Sequence, residues 1–255
     1  VAVVGRSAVL HAIALHGLVM AICGCLLGPL QLSTGLGARC SRKIRRSIQG
    51  RGMIRNGPNA AVAESYDVGC VVGAGVYGIV SLAKGRHCGR ACALKVVASG
   101  GLDDHSVFKE VVMHAELDHP HIVRVYETFV DESQLRIVME LCGGGELYEA
   151  LHEFGFFRES DARSIFAQIA SAVHYLHRRS FAHRDLKLEN FMLMKRGVPL
   201  SKNIVKLIDF GMMTLFVPGT QSMKTTVGSP GYTAPEVFAG SYDEKCDIFS
   251  CGVML

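Results

Sequence analysis

The residue types best suited to chemistry cluster in one short stretch, Ala182-His183-Arg184-Asp185-Leu186-Lys187-Leu188-Glu189-Asn190. Asp185 and Asn190 lie five positions apart, and Asp209 follows Asn190 by 19 positions. One carboxylate of such a set can accept the proton of a hydroxyl group, while the other oxygens suit hard cations such as Mg²⁺. A charged run is more often a solvated loop, but this one precedes the apolar Phe191-Met192-Leu193. The stretch therefore predicts a loop leaving the core.

A glycine-rich run, Val72-Gly73-Ala74-Gly75-Val76-Tyr77-Gly78-Ile79-Val80, is the second candidate site. Glycines let backbone N–H groups approach phosphate oxygens without a Cβ in the way. The same spacing occurs in ordinary glycine turns and in dinucleotide-binding turns, where a helix and an acidic residue should follow. Here the continuation Ile79–Ala83 has a strand pattern, and Lys95 stands 20 residues after Gly75. This favours a hairpin over phosphates, with Lys95 as a point charge.

Lys95 lies between apolar neighbours in Ala93-Leu94-Lys95-Val96-Val97. A lysine on such a strand must face an anionic group, because an unpaired buried charge is costly. Glu110 is a candidate partner, since the apolar residues around it indicate an amphipathic helix. Taken alone, a glutamate in such a pattern is more often a surface helix residue than an ion-pair partner.

The elements that must position these residues change character along the chain. Short β-like runs come first, at 71–72, 79–83, 91–97, 122–129 and 135–140. Helical patterns then dominate, notably over Glu159–Arg178, where apolar residues recur at three- and four-residue spacing. Strands followed by helices, without regular alternation, predict an α+β fold with two sub-domains.

Together, the motifs resemble those of eukaryotic serine/threonine protein kinases, in that family's order from about Tyr66 to Leu255. Besides the glycine run and the stretch around Asp185, the resemblance rests on Asp209-Phe210-Gly211 and Ala234-Pro235-Glu236. It implies a two-lobed protein-kinase-like fold within residues 64–255. The expected parts are a β-rich N-lobe at about 66–139, a hinge at 140–142, and an incomplete helical C-lobe at 143–255.

The resemblance implies that the chain transfers the γ-phosphoryl group of Mg-ATP to Ser or Thr hydroxyls of proteins. On the nucleotide side, Gly73, Gly75 and Gly78 would cover the ATP phosphates. Lys95 would hold the α- and β-phosphates and pair with Glu110.

On the transfer side, the resemblance gives Asp185 the task of accepting or orienting the proton of the substrate hydroxyl. Lys187 would neutralise charge on the transferred group. Asn190 and Asp209 would bind two Mg²⁺ ions. Each of these groups is a donor, a cation or a metal ligand, which suits a reaction driven by positioning and charge neutralisation.

The adenine site implied by the resemblance is formed by apolar walls and by hinge backbone. The residues concerned are Val72, Val80, Ala93, Met139, Glu140, Cys142 and Met192. Glu146 would meet the ribose or a basic substrate side chain. Together with Glu189, it suggests a preference for Arg upstream of the phosphoacceptor.

Three further stretches, residues 117–123, 140–147 and 223–228, resemble those of the calcium/calmodulin-dependent kinases and the calcium-dependent kinases of plants and protists. Calcium control would require regions absent from this sequence, because no D-x-D-x-D-G-type loop is present. Arg184 would match a phosphorylated activation loop with Thr225 or Thr226 as the acceptor, although either threonine equally fits an unmodified loop residue.

Composition excludes several other classes of protein. A chain of 255 residues with 49% hydrophobic and 20% charged residues has too much apolar character for a wholly disordered protein. The net charge of +4 conceals eight basic and no acidic residues within 1–63, and 19 basic against 23 acidic residues within 64–255. A nucleic-acid partner is therefore not expected. Nine scattered cysteines without a C-x-x-C pair favour reduced thiols and a cytoplasmic location.

Residues 1–63 are expected to form a leader, disordered or associated with a membrane. Residues 8–30 are apolar and uncharged, which is long enough to cross a bilayer, and a basic cluster at 39–55 follows. A signal-peptide core or a flexible solvated run fits the same residues, so membrane contact through 8–55 and a transmembrane segment both stay open.

The sequence stops at Leu255 within an apolar run, whereas kinase C-lobes continue for several helices, so we expect a C-terminally truncated domain. The alternative to an active enzyme is an inactive kinase-like scaffold or fragment. A pseudokinase would normally lose Lys95, Asp185 or Asp209, and all three are present.

Overall fold

A computed structural model describes residues 54–56, 59–75, 78–98, 113–130 and 134–255. The first half of the described chain is dominated by one sheet. Its strands are β1 (Ile54–Asn56), β2 (Tyr66–Gly75), β3 (Gly78–Gly85), β4 (Ala91–Ala98), β5 (Val125–Val130) and β6 (Gln134–Glu140). Helix α1 (Asn59–Ser65) joins β1 to β2.

Helices and short two-stranded ladders form the second half. The helices are α2 (Leu147–Phe154), α3 (Glu159–Arg178), α4 (Pro235–Phe238) and α5 (Lys245–Met254). The ladders pair β7 (Phe181–Ala182) with β10 (Thr214–Leu215), and β8 (Phe191–Leu193) with β9 (Val205–Leu207). Short 3₁₀ turns cover Leu188–Asn190 and Leu200–Lys202. The predicted α+β fold, with a β-rich lobe followed by a helical lobe, is confirmed.

The six-stranded sheet has the order β1-β5-β6-β4-β3-β2. β1 runs parallel to β5, whereas the other neighbouring pairs are antiparallel. Val80 lies opposite Lys95, and Ala93 lies opposite Met139. Because directly opposed residues share a face of a sheet and alternate residues along a strand return to it, these four side chains project from one face.

The two faces of the sheet belong to different cores. Ala93, Ile137 and Met139 join the main hydrophobic cluster, which continues into the helical lobe. On the other face, Leu94 and Val138 belong to a smaller cluster that also contains Val62, Ala83, Cys92 and Phe129. The sheet is thus covered on both sides, and the face carrying Lys95 is the one that looks toward the helical lobe.

Helix α3 packs against the main hydrophobic cluster of the helical lobe. Its predicted span, Glu159–Arg178, is confirmed. Its buried side chains, Ile165, Ile169, Ala172, Val173 and Leu176, recur at the three- and four-residue spacing of an amphipathic helix. Acidic residues in its first turn and basic residues in its last turn complement the helix dipole. Ser180, with φ 61°, turns the chain toward β7 and the loop that carries Asp185.

The folded part of the chain begins earlier than residue 64, where the sequence places the start of the kinase-like domain. Residues 54–56 pair with β5, and Val62 of α1 is 2% exposed within the smaller cluster, so the folded part begins before residue 64. Val62 follows the basic cluster in an uncharged stretch, and only the tertiary packing reveals that it is buried. Residues 8–30 and most of the basic cluster lie outside the described residues. Within the described ranges, no helix is long and apolar enough to cross a membrane.

The predicted strands mostly mark the centres of longer ones. The two-residue run at 71–72 belongs to a ten-residue strand, β2. The run at 122–129 is wrong at its start, because β5 begins at Val125. Ile122 and Val123 instead pack in the main core, where Ile122 bridges to Leu207 of β9 and connects the two lobes.

Candidate active site

The loop carrying Asp185 is held from below by Asp247 of α5. The Asp247 carboxylate is fully buried and accepts hydrogen bonds from the backbone N–H groups of His183 and Arg184, both at 2.8 Å. His177 Nε2 of α3 donates a third bond at 2.8 Å. Burial by itself raises the pKa of Asp247, but the bond from His177, the charge of His177 and the Arg184 N–H outweigh burial and lower it. Asp247 therefore braces the loop that carries Asp185.

Asp185 is 6% exposed, and its two carboxylate oxygens have different surroundings. Oδ2 lies 3.4 Å from Lys187 Nζ and 3.4 Å from Asn190 Nδ2. Asn190 Nδ2 also donates to the backbone oxygen of Asp185 at 2.8 Å, which closes the loop on itself. Oδ1 is buried and has no hydrogen-bond partner among the described residues. A buried acceptor in that state is costly unless a ligand supplies the donor.

Lys187 links this loop to a distant part of the chain. Its Nζ donates to Ser229 Oγ at 2.7 Å, in addition to its contact with Asp185. The ammonium group therefore lies between the carboxylate and the segment that precedes Ala234-Pro235-Glu236. It can neutralise negative charge that develops beside Asp185.

Asp209 lies where the two lobes meet. Its Oδ1 lies 3.8 Å from Nζ of Lys95 on β4 and accepts the N–H of Gly211 at 3.2 Å. His183 Nε2 contacts the backbone oxygen of Asp209, and His183 Nδ1 accepts the N–H of Asp185 at 3.3 Å. The predicted residues Lys95, Asp185, Lys187, Asn190 and Asp209 are thus gathered around one recess, which His183, Asp185, Asp209, Gly211 and Met212 line.

Phe210 fills the space behind this recess. Its ring lies 4.1 Å from the ring of His114 and 5.5 Å from that of His183, measured between centroids. Burial lowers the pKa of His183, and it lowers the pKa of His114 to about 4, against the bond between His114 Nε2 and the Val123 oxygen at 2.9 Å. Both imidazoles are therefore neutral near pH 7 and act as packing groups with one hydrogen-bond donor each.

The glycine run forms a hairpin, as predicted. Gly73 lies opposite Val80 and Gly75 lies opposite Gly78, while residues 76–77 lie outside the described residues. Gly78 has φ +116°, and a Cβ there would lie 2.2 Å from the Val96 oxygen, so the hairpin demands glycine at this position. Val72, in the β2 strand of the hairpin, is 55% exposed.

The predicted adenine walls lie on the sheet face that carries Lys95. Ala93 is 7% and Met139 is 8% exposed, and Val80 packs against the same cluster. Met192 of β8 approaches from the helical lobe, where it bridges to Glu146. Cys142 is buried at the start of that lobe, and burial, with the charge of Glu140, raises the pKa of its thiol to about 12. Its side chain is therefore a neutral wall rather than a reactive thiolate.

Sequence reasoning missed one ion pair at the hinge. Lys206 Nζ of β9 lies 2.8 Å from Glu140 Oε2, with side chains 9% and 16% exposed. The pair ties the end of β6 to the ladder that leads to Asp209. Lys206 occupies a buried strand position in Val205-Lys206-Leu207, which signals that a partner exists, but the sequence does not identify Glu140, 66 positions earlier.

An acidic surface lies beside the transfer site. The pKa of Glu146 is raised by burial first and then by the charges of Glu149 and Glu189. Glu189 Oε2 is buried without a hydrogen-bond partner among the described residues. Burial and the nearby Glu189 also raise the pKa of Tyr232. The carboxylates destabilise one another and would gain from a cationic ligand.

The residues present suit Mg²⁺ and ATP. Within the described ranges, no cluster of three or more His, Cys, Asp or Glu side chains could hold a metal ion by itself. The available oxygens of Asn190 and Asp209 therefore fit a cation that also takes phosphate and water ligands, as Mg²⁺ does. The unpartnered Asp185 Oδ1 suits a hydroxyl donor. Glu110, the predicted partner of Lys95, lies outside the described residues.

A sheet-rich lobe and a helical lobe that share a lysine, two aspartates and an asparagine at their junction define a two-lobed phosphotransferase class of domain. The protein kinase domain family matches residues 66–255, and the chain belongs to this family.

Three relatives illustrate the match. Calcium-dependent protein kinase 3 of Plasmodium yoelii yoelii is 40% identical over 184 residues, which cover 72% of this chain and 34% of that protein. Calcium-dependent protein kinase 4 of Plasmodium falciparum (isolate 3D7) is 38% identical over 208 residues, which cover 80% of this chain and 39% of that protein. Serine/threonine-protein kinase SRK2J of Arabidopsis thaliana is 41% identical over 194 residues, which cover 75% of this chain and 56% of that protein. The chain thus spans less than two thirds of the length of each of these relatives.

Proposed function

We propose that the protein transfers the γ-phosphoryl group of ATP to serine and threonine hydroxyls of other proteins. The observation that carries this proposal is the state of Asp185. Its carboxylate is buried, one oxygen is held by Lys187 and Asn190, and the other oxygen has no partner among the described residues. A hydroxyl group that donates to this oxygen would be oriented for attack on a phosphoryl group.

The remaining residues have tasks that follow from their positions. Lys95 places a positive charge on the sheet face above the recess, where it can hold non-reacting phosphates. Lys187, between Asp185 and Ser229, can balance charge on the transferred group. Asn190 and Asp209 would hold Mg²⁺, which supplies neutralisation of phosphate charge when bound. Positioning and charge account for the whole set, and no covalent nucleophile is needed.

The finer proposal concerns the substrate. Glu146 and Glu189 favour a cation near the phosphoacceptor. Burial and the charges of Glu149 and Glu189 raise the pKa of Glu146, and Glu189 Oε2 has no hydrogen-bond partner among the described residues. An Arg side chain upstream of the acceptor would supply a bidentate donor. Calcium control, which the names of two relatives describe for those proteins, would belong to segments outside residues 66–255, since this range has no EF-hand-type loop.

Peptide phosphorylation by the full-length protein tests both the proposed kinase activity and the proposed preference for an upstream Arg. Ser and Thr peptides with an upstream Arg should be phosphorylated and the matching Tyr peptide should not. Replacing the Arg of the peptide by Ala should raise KM at least about tenfold, the loss expected for one charge-assisted contact. Glu189→Gln should remove most of that difference between the peptides, whereas Glu153→Gln, on the exposed end of α2, should leave it unchanged. Transfer without Arg discrimination would overturn the substrate proposal alone.

A further inference from the structure

The guanidinium group of Arg184 is already engaged by neutral acceptors. Its Nε donates to the Met212 oxygen at 2.7 Å, and its Nη1 donates to the Tyr242 hydroxyl at 3.2 Å. Its backbone has φ 70° and is held by Asp247 through the N–H bond. The side chain beside the catalytic Asp185 is thus fixed at both ends.

Tyr242 uses both hydrogen-bonding capacities of its hydroxyl. It accepts from Arg184 and donates to the Thr225 backbone oxygen at 2.5 Å. The ring is fully buried in a cluster with Met223 and Val237, and the backbones of Met223 and Tyr242 exchange hydrogen bonds of 3.0 and 3.2 Å. Tyr242 therefore connects Arg184 to the activation segment, which we define as residues 209–236.

The contact at Thr225 fixes the part of the activation segment that touches the site. A Cβ added at Gly228 would lie 2.9 Å from the Arg184 oxygen, so the segment passes directly over the loop there. One residue further, Ser229 accepts the bond from Lys187, and Thr233 donates to the Ser229 oxygen at 2.9 Å. The contact at Thr225 thus lies four residues before Ser229, the residue that Lys187 contacts.

We propose that Tyr242 is a positioning residue that holds the activation segment on Arg184 when Thr225 and Thr226 carry no phosphate. The inference rests on the proposed kinase function and adds its regulation, because basal transfer then requires phosphorylation of neither threonine. The bond from Tyr242 reaches the backbone oxygen of Thr225, not its hydroxyl. Replacement of the threonine side chains therefore leaves this bond in place.

The test compares full-length wild type, Tyr242→Phe and the double variant Thr225→Ala/Thr226→Ala, all treated with phosphatase. Tyr242→Phe keeps the buried ring but loses both hydrogen bonds of the hydroxyl, and it should lower kcat about tenfold with the KM for ATP unchanged. The double variant should keep kcat within about twofold of wild type. Tyr175→Phe is the matched control, since its hydroxyl accepts the Asp118 N–H at 2.9 Å far from the segment, and it should leave kcat unchanged.

Several outcomes separate this inference from the function on which it rests. Full kcat in Tyr242→Phe, or wild-type transfer that appears only after phosphorylation of Thr225 or Thr226, would overturn the inference and leave the kinase function intact. No transfer by wild type in any phosphorylation state would overturn the function. If Tyr242→Phe fails to fold in thermal unfolding, the phosphatase-treated wild type and the double variant still decide, and a loss of activity in either sinks the inference.

Discussion

At the scale of single residues, the packing and hydrogen bonds behind the recess require His114 and His183 to be neutral. His183 accepts the Asp185 N–H at Nδ1 and contacts the Asp209 oxygen through Nε2, so each ring nitrogen has a fixed task. His114 is 6% exposed and packs against Phe210. Protonation of His114 would place a cation in the core beside Phe210 and near the charge of Lys95. The pH at which the site assembles is therefore set by buried histidines as well as by carboxylates.

The pKa of His114, lowered by burial from 6.5 to about 4, predicts a pH-dependent stability. Between these values the unfolded chain binds a proton that the folded protein excludes, so stability is fully present above pH 6.5 and falls as the pH drops toward 4. His114→Leu should reduce the loss of unfolding free energy between pH 7 and 4.5 by about 2 to 3 kcal/mol. Urea unfolding at both pH values measures it.

His152→Leu is the control for this prediction, because His152 is exposed on α2. It should leave the pH dependence as it is in wild type. Equal losses in the wild type and His114→Leu would show that the buried imidazole does not limit stability in acid.

At the scale of secondary-structure elements, the described part of the hairpin between β2 and β3 depends most on Gly78. Gly78→Ala places a Cβ 2.2 Å from the Val96 oxygen, and the clash is with backbone that cannot rotate away. We expect a loss of at least about 3 kcal/mol in unfolding free energy and a raised KM for ATP. Denaturant titration and steady-state kinetics measure the two effects.

Gly89→Ala is matched to Gly78→Ala. Gly89 also has a positive φ, +65°, but a Cβ there has nothing within 4 Å. It should cost about 1 kcal/mol from backbone conformation alone and leave the KM for ATP unchanged. Similar losses in the two variants would mean that the positive φ, and not the close approach to Val96, explains the glycine.

The hinge depends on the buried pair of Lys206 and Glu140. Lys206→Met removes the cation that pairs with the Glu140 carboxylate. Within the described residues, that carboxylate then keeps the hydrogen bond from the Arg124 N–H at 3.3 Å. We expect a loss of about 3 kcal/mol, because breaking one half of a buried pair strands the other charge. The double variant Lys206→Met/Glu140→Leu should recover most of this loss. Additive losses in a double-mutant cycle by urea unfolding would contradict the account.

Local patterns predicted α3 to the residue, because its apolar spacing and charged ends act within one helix. The residues of the recess were also predictable, since their types and order carry the chemistry that they share. The burial of Val62 and the pairing of Lys206 with Glu140 could not be predicted, because both depend on residues far away in sequence. The same holds for Tyr242, whose partners Arg184 and Thr225 meet only in the folded chain.

At the scale of the whole molecule, charge separates two regions. Residues 1–63 carry eight basic and no acidic groups, whereas residues 64–255 carry an excess of four acidic groups. We propose that residues 8–55 contact the cytoplasmic face of a membrane, through an apolar stretch and a basic cluster that suit anionic lipid.

Vesicle sedimentation tests this proposal. The full-length protein should bind vesicles containing phosphatidylserine more tightly than neutral vesicles, and the preference should weaken as salt rises. A variant with the basic residues between 39 and 51 replaced by Gln should lose the preference. Equal binding of wild type to both kinds of vesicle would contradict an electrostatic contact.

The most direct measurement of the central claim is phosphoryl transfer from labelled ATP to an Arg-containing Ser peptide by full-length wild type and Asp185→Asn. Asparagine keeps the shape of the side chain and its contacts to Asn190 and Lys187 but cannot accept the hydroxyl proton in the same way. We expect transfer by Asp185→Asn to be at least about a hundredfold below that of wild type, while ATP still raises the unfolding temperature of both proteins. Undiminished transfer by Asp185→Asn, or wild type that is stabilised by ATP yet transfers nothing, would contradict this claim, and the second result would favour the inactive scaffold.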